Sequence, residues 1–249
     1  MLIVGLTGGI ASGKSTVSKR LHEHHSLTIV DADKIAKEIV EPGKPAYNKI
    51  VSHFQPNLPN LVDPETKALN RPVLGKYVFE NKSELQVLNS ITHPAVRRQM
   101  IWEIIKSWFS FDKMVILDVP LLFEAKLDEF CGVNVCVICD GELQLERLMA
   151  RNPELSAEDC KNRIKNQMSN EVKISKSDVV IENNSTREKL YEEVDKIVKQ
   201  LMPSTFWSYF EVLIPPVGLA SALIVYLRNT LFKKGVSSTV PIAKLQKTA

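Results

Sequence analysis

Residues 8–15 read Gly-Gly-Ile-Ala-Ser-Gly-Lys-Ser and fit G-x-x-x-x-G-K-[ST], a spacing in which each residue type has a chemical reason. Gly8, Gly9 and Gly13 let the backbone approach phosphate oxygens with no Cβ in the way. The N–H groups of Ile10, Ala11 and Ser12 between them, and those of Ser15 and Thr16 at the start of the following helix, add donors that converge on an anion. Lys14 can reach β and γ phosphates, and the Ser15 hydroxyl can ligate Mg²⁺. Position decides whether the pattern has this meaning. Here it follows the β-branched "LIVGLT" and opens an amphipathic helix, "GKSTVSKRLHEHH", so it reads as a nucleoside triphosphate site.

A GTP switch would carry D-x-x-G, which is found nowhere in the chain; the nearest guanine-type string is "NKSE" at residues 81–84. A small-molecule kinase needs an acceptor for the proton of the attacking hydroxyl and cations for the transferred group. The second strand, "LTIVDAD", ends in acids at the point where open α/β sheets bind ligands. Asp31 and Asp33 would share a face if that strand persists; either could be the base, or one could simply cap the next helix. Asp118, closing the apolar "VILDVP", reads as a magnesium-holding acid, with Glu124 one segment later. Arg147 and Arg151 are four apart and therefore on one helical face; with Arg163 beyond a turn they suit a lid that swings over the nucleotide.

The elements that must position these groups alternate. Strands are expected in "LIVGLT", "LTIVDAD", "KMVILDVPLLFE", "NVCVICD" and "DVVIEN", separated by helical crossovers, which argues for a parallel sheet covered on both faces. A mainly helical stretch runs over residues 34–110, broken by "HFQPNLPNLVDPETKALN", with His93-Pro94 expected to mark a helix start. Ser156 is a plausible N-cap for the helix after the "RNPE" turn. Of 249 residues, 32 are basic and 29 acidic; a net charge of +3 is too small and dispersed to predict nucleic-acid binding. The four cysteines form no disulfide framework, and Cys136 and Cys139 sit in an apolar strand rather than a zinc site. "HEHH" at residues 22–25 is expected to face solvent at a helix end. No leader is expected, because "MLIVGLT" itself reads as the first strand.

After Pro203 the character changes. Val212–Leu227 carries no charge, is preceded by "FWSYF" and followed by Arg228, Lys233 and Lys234. These sixteen residues fall short of the roughly 20 of a membrane span, and Pro215-Pro216 would interrupt a helix. Two readings stand: an anchor or interfacial segment over 206–227, or a helix docked on the domain or a partner. Residues 233–249 read as a basic, disordered tail.

Taken together, "VGLTGGIASGKSTVSKRL", "IVDADKIAKEIVEPGKPAY", "LNRPVLGKYVF", "LNSITHPAVRR", "VILDVPLLFE" and "DVVIENNST" resemble dephospho-CoA kinases over about residues 1–200. The resemblance implies a P-loop α/β kinase domain over 1–203, with a substrate-binding region at 34–110 and a lid at 143–168. It implies ATP-dependent phosphorylation of the ribose 3′-hydroxyl of dephospho-CoA, with Mg²⁺, as the last step of coenzyme A synthesis. It selects Asp33 as the base and gives Lys14, Arg147 and Arg151 the transferring phosphoryl group. Pro42, Gly43, Arg71, His93 and Arg97 are implied near the substrate, and Asn183 on the adenine side. The tail resembles that of monofunctional eukaryotic forms and carries the expectation of a cytoplasm-facing enzyme held at an intracellular membrane, endoplasmic reticulum or mitochondrial outer membrane.

Overall fold

The computed structural model describes residues 1–231, apart from the side chain of Trp207. The expected basic tail at 233–249 lies outside the described residues. Five strands form one sheet: β1 (Leu2–Gly8), β2 (Thr28–Asp31), β3 (Met114–Asp118), β4 (Val133–Ile138) and β5 (Val179–Glu182), in the order β2-β3-β1-β4-β5. β1 lies parallel to β3, with Leu6 opposite Asp118, and parallel to β4, with Gly8 opposite Val137; β4 and β5 are parallel as well. Parallel neighbours need crossovers, and the intervening helices supply them.

The chain divides into two compact units. The first comprises Met1–Ile29 and Ser107 onward. Its helices are the loop helix α1 (Lys14–Glu23) and, later, α6 (Gly141–Arg151), α7 (Ala157–Lys165), α8 (Asn170–Lys176), α9 (Arg187–Leu201), α10 (Thr205–Leu213) and α11 (Pro215–Leu231). Side chains alternate across a strand. Val4, Leu6, Val135, Val137 and Ile181 point to one face and pack with Val17 and Leu21 of α1 and Leu190, Val194 and Val198 of α9. Each such burial stabilises the domain by about 1.5–3 kcal/mol. Cys136, on the other face, lies toward α8, as expected of strand core; Cys139 falls just past the end of β4, and all four cysteines are buried free thiols.

The second unit, Val30–Lys106, holds α2 (Ala32–Glu38), α3 (Pro45–Phe54), α4 (Arg71–Glu80) and most of α5 (Lys82–Phe109). Its own core is Ile50, Phe54, Leu61, Leu74 and Val78. Two expectations are corrected within it. The helix start placed at His93-Pro94 is interior to α5, which runs through Pro94 unbroken. Proline removes one N–H and crowds the preceding turn, but over 28 residues the remaining bonds carry the helix through. The second strand ends at Asp31, so Asp31 and Asp33 do not share a strand face: α2 begins at once, because the Asp31 carboxylate caps it, accepting from the N–H groups of Asp33 (2.9 Å) and Lys34 (3.0 Å).

At the C-terminal end, Pro215 is the first residue of α11, where a missing N–H costs nothing, so the proline pair separates two helices rather than interrupting one. Among the described residues no helix is long and apolar enough to cross a membrane. α11 docks instead. Asn229 Nδ2 donates to the carbonyls of Cys131 (2.9 Å), Glu129 (3.2 Å) and Asp128 (3.3 Å), Arg228 Nη2 to that of Gly132 (3.0 Å), and Tyr226 stacks on Phe130.

Candidate active site

The loop after β1 has the geometry its composition asks for. Gly13 has φ 95°, a left-handed conformation that only glycine adopts cheaply, and a Cβ there would collide with the Asn183 amide. Ala11 has φ 59°, an uncommon conformation for a residue with a side chain. The first turn of α1 closes on Gly13, whose carbonyl accepts from the N–H groups of Thr16 (2.9 Å) and Val17 (3.2 Å). The N–H groups of Ala11, Gly13, Lys14 and Ser15 have no hydrogen-bond partner among the described residues, so four donors and the positive end of a helix gather at one place. The Ile10 N–H is placed differently: it donates to Gln167 Oε1 at 2.9 Å.

Lys14 lies at the head of α1 and its ammonium pairs with the carboxylate of Asp118, which is 3% exposed at the end of β3. The strand register explains the meeting, since Asp118 ends the strand directly beside β1. A cation and an acid that neutralise each other here can both be redirected when phosphate enters.

A cleft of about 300 Å³ opens beside Gly13 and is lined by Thr16, Arg147, Asn183, Ser185, Arg187 and Leu190. Arg147 Nη1 donates to the Asn183 carbonyl at 3.0 Å, so this arginine forms a wall of the cleft, while Arg151 and Arg163 are exposed farther along α6 and on α7. Burial pushes the Cys139 thiol up, and the charge of Arg147 beside it works in the opposite direction. The helix pair α6–α7 does form, with Ser156 as N-cap, accepting from Asp159 N–H at 3.1 Å.

Several residues here escaped the sequence reading. Arg187 follows Thr186, whose N-cap role for α9 was legible and marks a helix start facing the cleft. Gln144 and Gln167 touch the loop directly, Gln144 Nε2 donating to the Ile10 carbonyl at 2.8 Å. The signal for Gln144 was present: it shares the buried face of α6 with Leu148, one turn on, where a polar residue calls for a partner.

In the second unit, Asp33 sits in the first turn of α2 with its carboxylate exposed, and with Asp31 occupied as a cap it is the acid left uncommitted. Pro42 and Gly43 are the central residues of a turn in which Lys44 N–H donates to the Glu41 carbonyl at 3.1 Å; Gly43 has φ 84°, as a type II turn requires. Arg71 opens α4 and donates to the Lys37 carbonyl at 3.0 Å. His93 and Arg97 lie one turn apart on α5, both exposed.

The histidine string is corrected in part. His25 does not simply face solvent; its Nε2 is 2.7 Å from Asp195 Oδ1. Arg20 forks onto the same carboxylate through Nε (3.1 Å) and Nη2 (2.7 Å), and this pairing holds Asp195 at about 2, well below the usual carboxylate range. His24, His25 and Asp195 have ligand atoms within 4.8 Å of one another, but both oxygens of the acid already serve Arg20, so the cluster is an ion pair tying α1 to α9.

The sequence profile of the CoaE dephospho-CoA kinases matches residues 2–189. The dephospho-CoA kinase of Saccharomyces cerevisiae is 53% identical over 234 residues, covering 94% of this chain and 96% of its own. A dephospho-CoA kinase structure from Campylobacter jejuni is similar with a TM-score of 0.56 and 30% identity, covering 80% of this chain and 97% of that one. A crystal structure from Thermus thermophilus gives a TM-score of 0.66 at 29% identity, covering 81% and 98%. A parallel sheet with a glycine loop feeding α1, and a profile match across that whole sheet, agree: this chain belongs to the dephospho-CoA kinase family.

Proposed function

We infer that this protein transfers the γ-phosphoryl group of ATP to the ribose 3′-hydroxyl of dephospho-CoA, giving coenzyme A and ADP in the last step of coenzyme A synthesis. The observation that carries the reading is the loop at Gly8–Ser15, with its unpaired N–H groups and Lys14, inside a chain whose family phosphorylates this substrate. In the reaction the 3′ oxygen attacks the γ phosphorus, the bond from that phosphorus to the β–γ bridging oxygen breaks, and ADP leaves. Asp33 takes the hydroxyl proton, its exposed carboxylate making no hydrogen bond or ion pair among the described residues. Lys14 moves from Asp118 to the phosphates, and the loop amides hold the β and γ oxygens. Arg147 lies against the nucleotide in the cleft, while Arg151 reaches the transferring group from the lid.

The donor set also suits Mg²⁺, a hard cation that prefers oxygen: the Ser15 hydroxyl and the buried Asp118 carboxylate would hold it, and the carboxylate already faces a positive charge. When bound, the ion neutralises part of the charge on the transferring phosphoryl group. Arg71, His93, Arg97 and the Pro42-Gly43 turn present the acceptor. A coupled assay of ADP formation tests the assignment: turnover is expected with dephospho-CoA and absent with ATP alone. Robust transfer to a nucleoside monophosphate, with none to dephospho-CoA, would overturn it.

For residues 206–227 the reading we favour is contact with a lipid surface from the cytoplasmic side, without spanning. Leu219, Leu223, Ile224 and Leu231 of α11 are exposed, and from Val212 to the end the sequence has no acid but five basic residues: Arg228, Lys233, Lys234, Lys244 and Lys247. The full chain is expected to float with phosphatidylserine vesicles and not with neutral ones, and Leu223→Asp to abolish flotation. A wild-type protein that stays at the bottom of the gradient removes this reading.

A further inference from the structure

A loop that gathers N–H groups around an anion must turn its carbonyls outward, because the two ends of each planar peptide oppose each other and a carbonyl aimed at phosphate repels it. Three alternate carbonyls of this loop each meet a side-chain donor from a distant part of the chain. The Gly8 carbonyl accepts from Lys173 Nζ at 3.4 Å, that of Ile10 from Gln144 Nε2 at 2.8 Å, and that of Ser12 from Asn183 Nδ2 at 2.9 Å. The Gly9 carbonyl is taken by Ser12 N–H at 3.1 Å, and the Gly13 carbonyl by the first turn of α1. Within this ring Ala11 keeps its left-handed backbone, which persists only where the surroundings over-determine it.

Lys173 is the unexpected member. It is wholly buried on α8, and burial pushes its pKa down while the charge of Glu124 acts against that shift. A buried ammonium needs partners, and here its hydrogen bond goes to the first carbonyl of the loop. Lys173 is fully enclosed by protein, which separates its effect from direct ligand contact.

We propose that Lys173, Gln144 and Asn183 are positioning residues of the phosphate cradle, holding the carbonyls of Gly8, Ile10 and Ser12 outward so that the N–H groups face the phosphates before the nucleotide arrives. The proposal rests on the triphosphate reading of the loop. Such fixed dipoles act on the phosphates held in the cradle and leave the nucleoside untouched.

The test is calorimetric titration of the full chain with ADP and with AMP. Lys173→Met keeps the length, deletes the donor and relieves a buried charge, so its Tm is expected to equal or exceed that of the wild type. Its ADP affinity is expected to fall about tenfold, the loss of one charge-assisted hydrogen bond's worth of order, with AMP affinity unchanged within twofold. Gln144→Leu is expected to give the same selective loss through a different carbonyl, and it carries the test should Lys173→Met not fold. Unchanged ADP affinity, or equal weakening of ADP and AMP, overturns the inference alone. A wild-type protein that binds ADP no better than AMP overturns the triphosphate reading and the inference with it.

Discussion

The nucleotide loop and the residues of the Val30–Lys106 unit proposed to hold the acceptor solve opposite problems. Around the loop the carbonyls of Gly8, Ile10 and Ser12, the Ile10 N–H and the Lys14 ammonium are committed, to Lys173, Gln144, Asn183, Gln167 and Asp118, while four backbone N–H groups are left for the anion. In the helical unit the side chains of Asp33, His93 and Arg97 are exposed and make no hydrogen bond or ion pair among the described residues; Arg71, tied to the Lys37 carbonyl, is the exception. Triphosphate is highly charged, and a preorganised cage avoids reorganising at the moment of transfer. The proposed acceptor side keeps its charges solvated, so its order would come from the substrate.

That contrast can be broken from either end. The largest effect is expected of Lys14→Met, which removes the ammonium proposed to reach the phosphates; kcat/KM should fall at least about 10³-fold, and a decline under tenfold would show that the cage does not stabilise the transferring group. Next comes Asp33→Asn, expected to lower kcat by about 10²–10⁴ while ADP affinity in a binding titration stays the same. Near-normal kcat would move the base elsewhere.

A third substitution, Gly13→Ala, tests the rigidity of the loop itself. The backbone at φ 95° and the Asn183 amide both oppose a methyl group, so stability should drop by about 1–3 kcal/mol in denaturant unfolding, with ADP affinity lost alongside. Arg71→Ala, on the solvated side, is expected to raise KM for dephospho-CoA several-fold and leave ADP affinity and Tm untouched. An equal effect on ADP would erase the division between the two regions.

The smallest expected effect lies away from the chemistry. The folded carboxylate of Asp195 titrates near 2, below its unfolded value, so the stability it confers is present above the unfolded pKa and fades as pH falls toward 2. Asp195→Asn should lower Tm by a few degrees at pH 7, and the difference from wild type should shrink below about pH 4. A difference independent of pH would mean that the ion pair with Arg20 contributes nothing through charge.

The phosphate loop was legible because its information is local. Gly8, Gly9, Gly13, Lys14 and Ser15 are consecutive enough that backbone conformation and hydrogen-bond donors follow from residue type, and a β-branched strand before them sets the frame. The cap at Ser156 was legible for the same reason. Pro94 misled because a single strong local preference lost to 28 residues of helix, and the "DAD" string was ambiguous until the short strand ended at Asp31 and turned that acid into a cap. Spacing puts Arg147 and Arg151 on one face of α6, but only the bond to the Asn183 carbonyl sets Arg147 in the wall of the cleft.

Sequence alone determined the anion site, the alternating strands and the family to which the pattern belongs, since these depend on residues within a few positions of one another. Tertiary structure decided which distant side chains finish the site. Lys173 is 165 positions from Gly8, Gln167 is 157 from Ile10 and Asn183 is 171 from Ser12, and no local periodicity encodes those meetings. They arise because parallel strands bring the carboxyl ends of β1, β4 and β5 to the same end of the sheet, where buried polar groups must find partners wherever the chain supplies them.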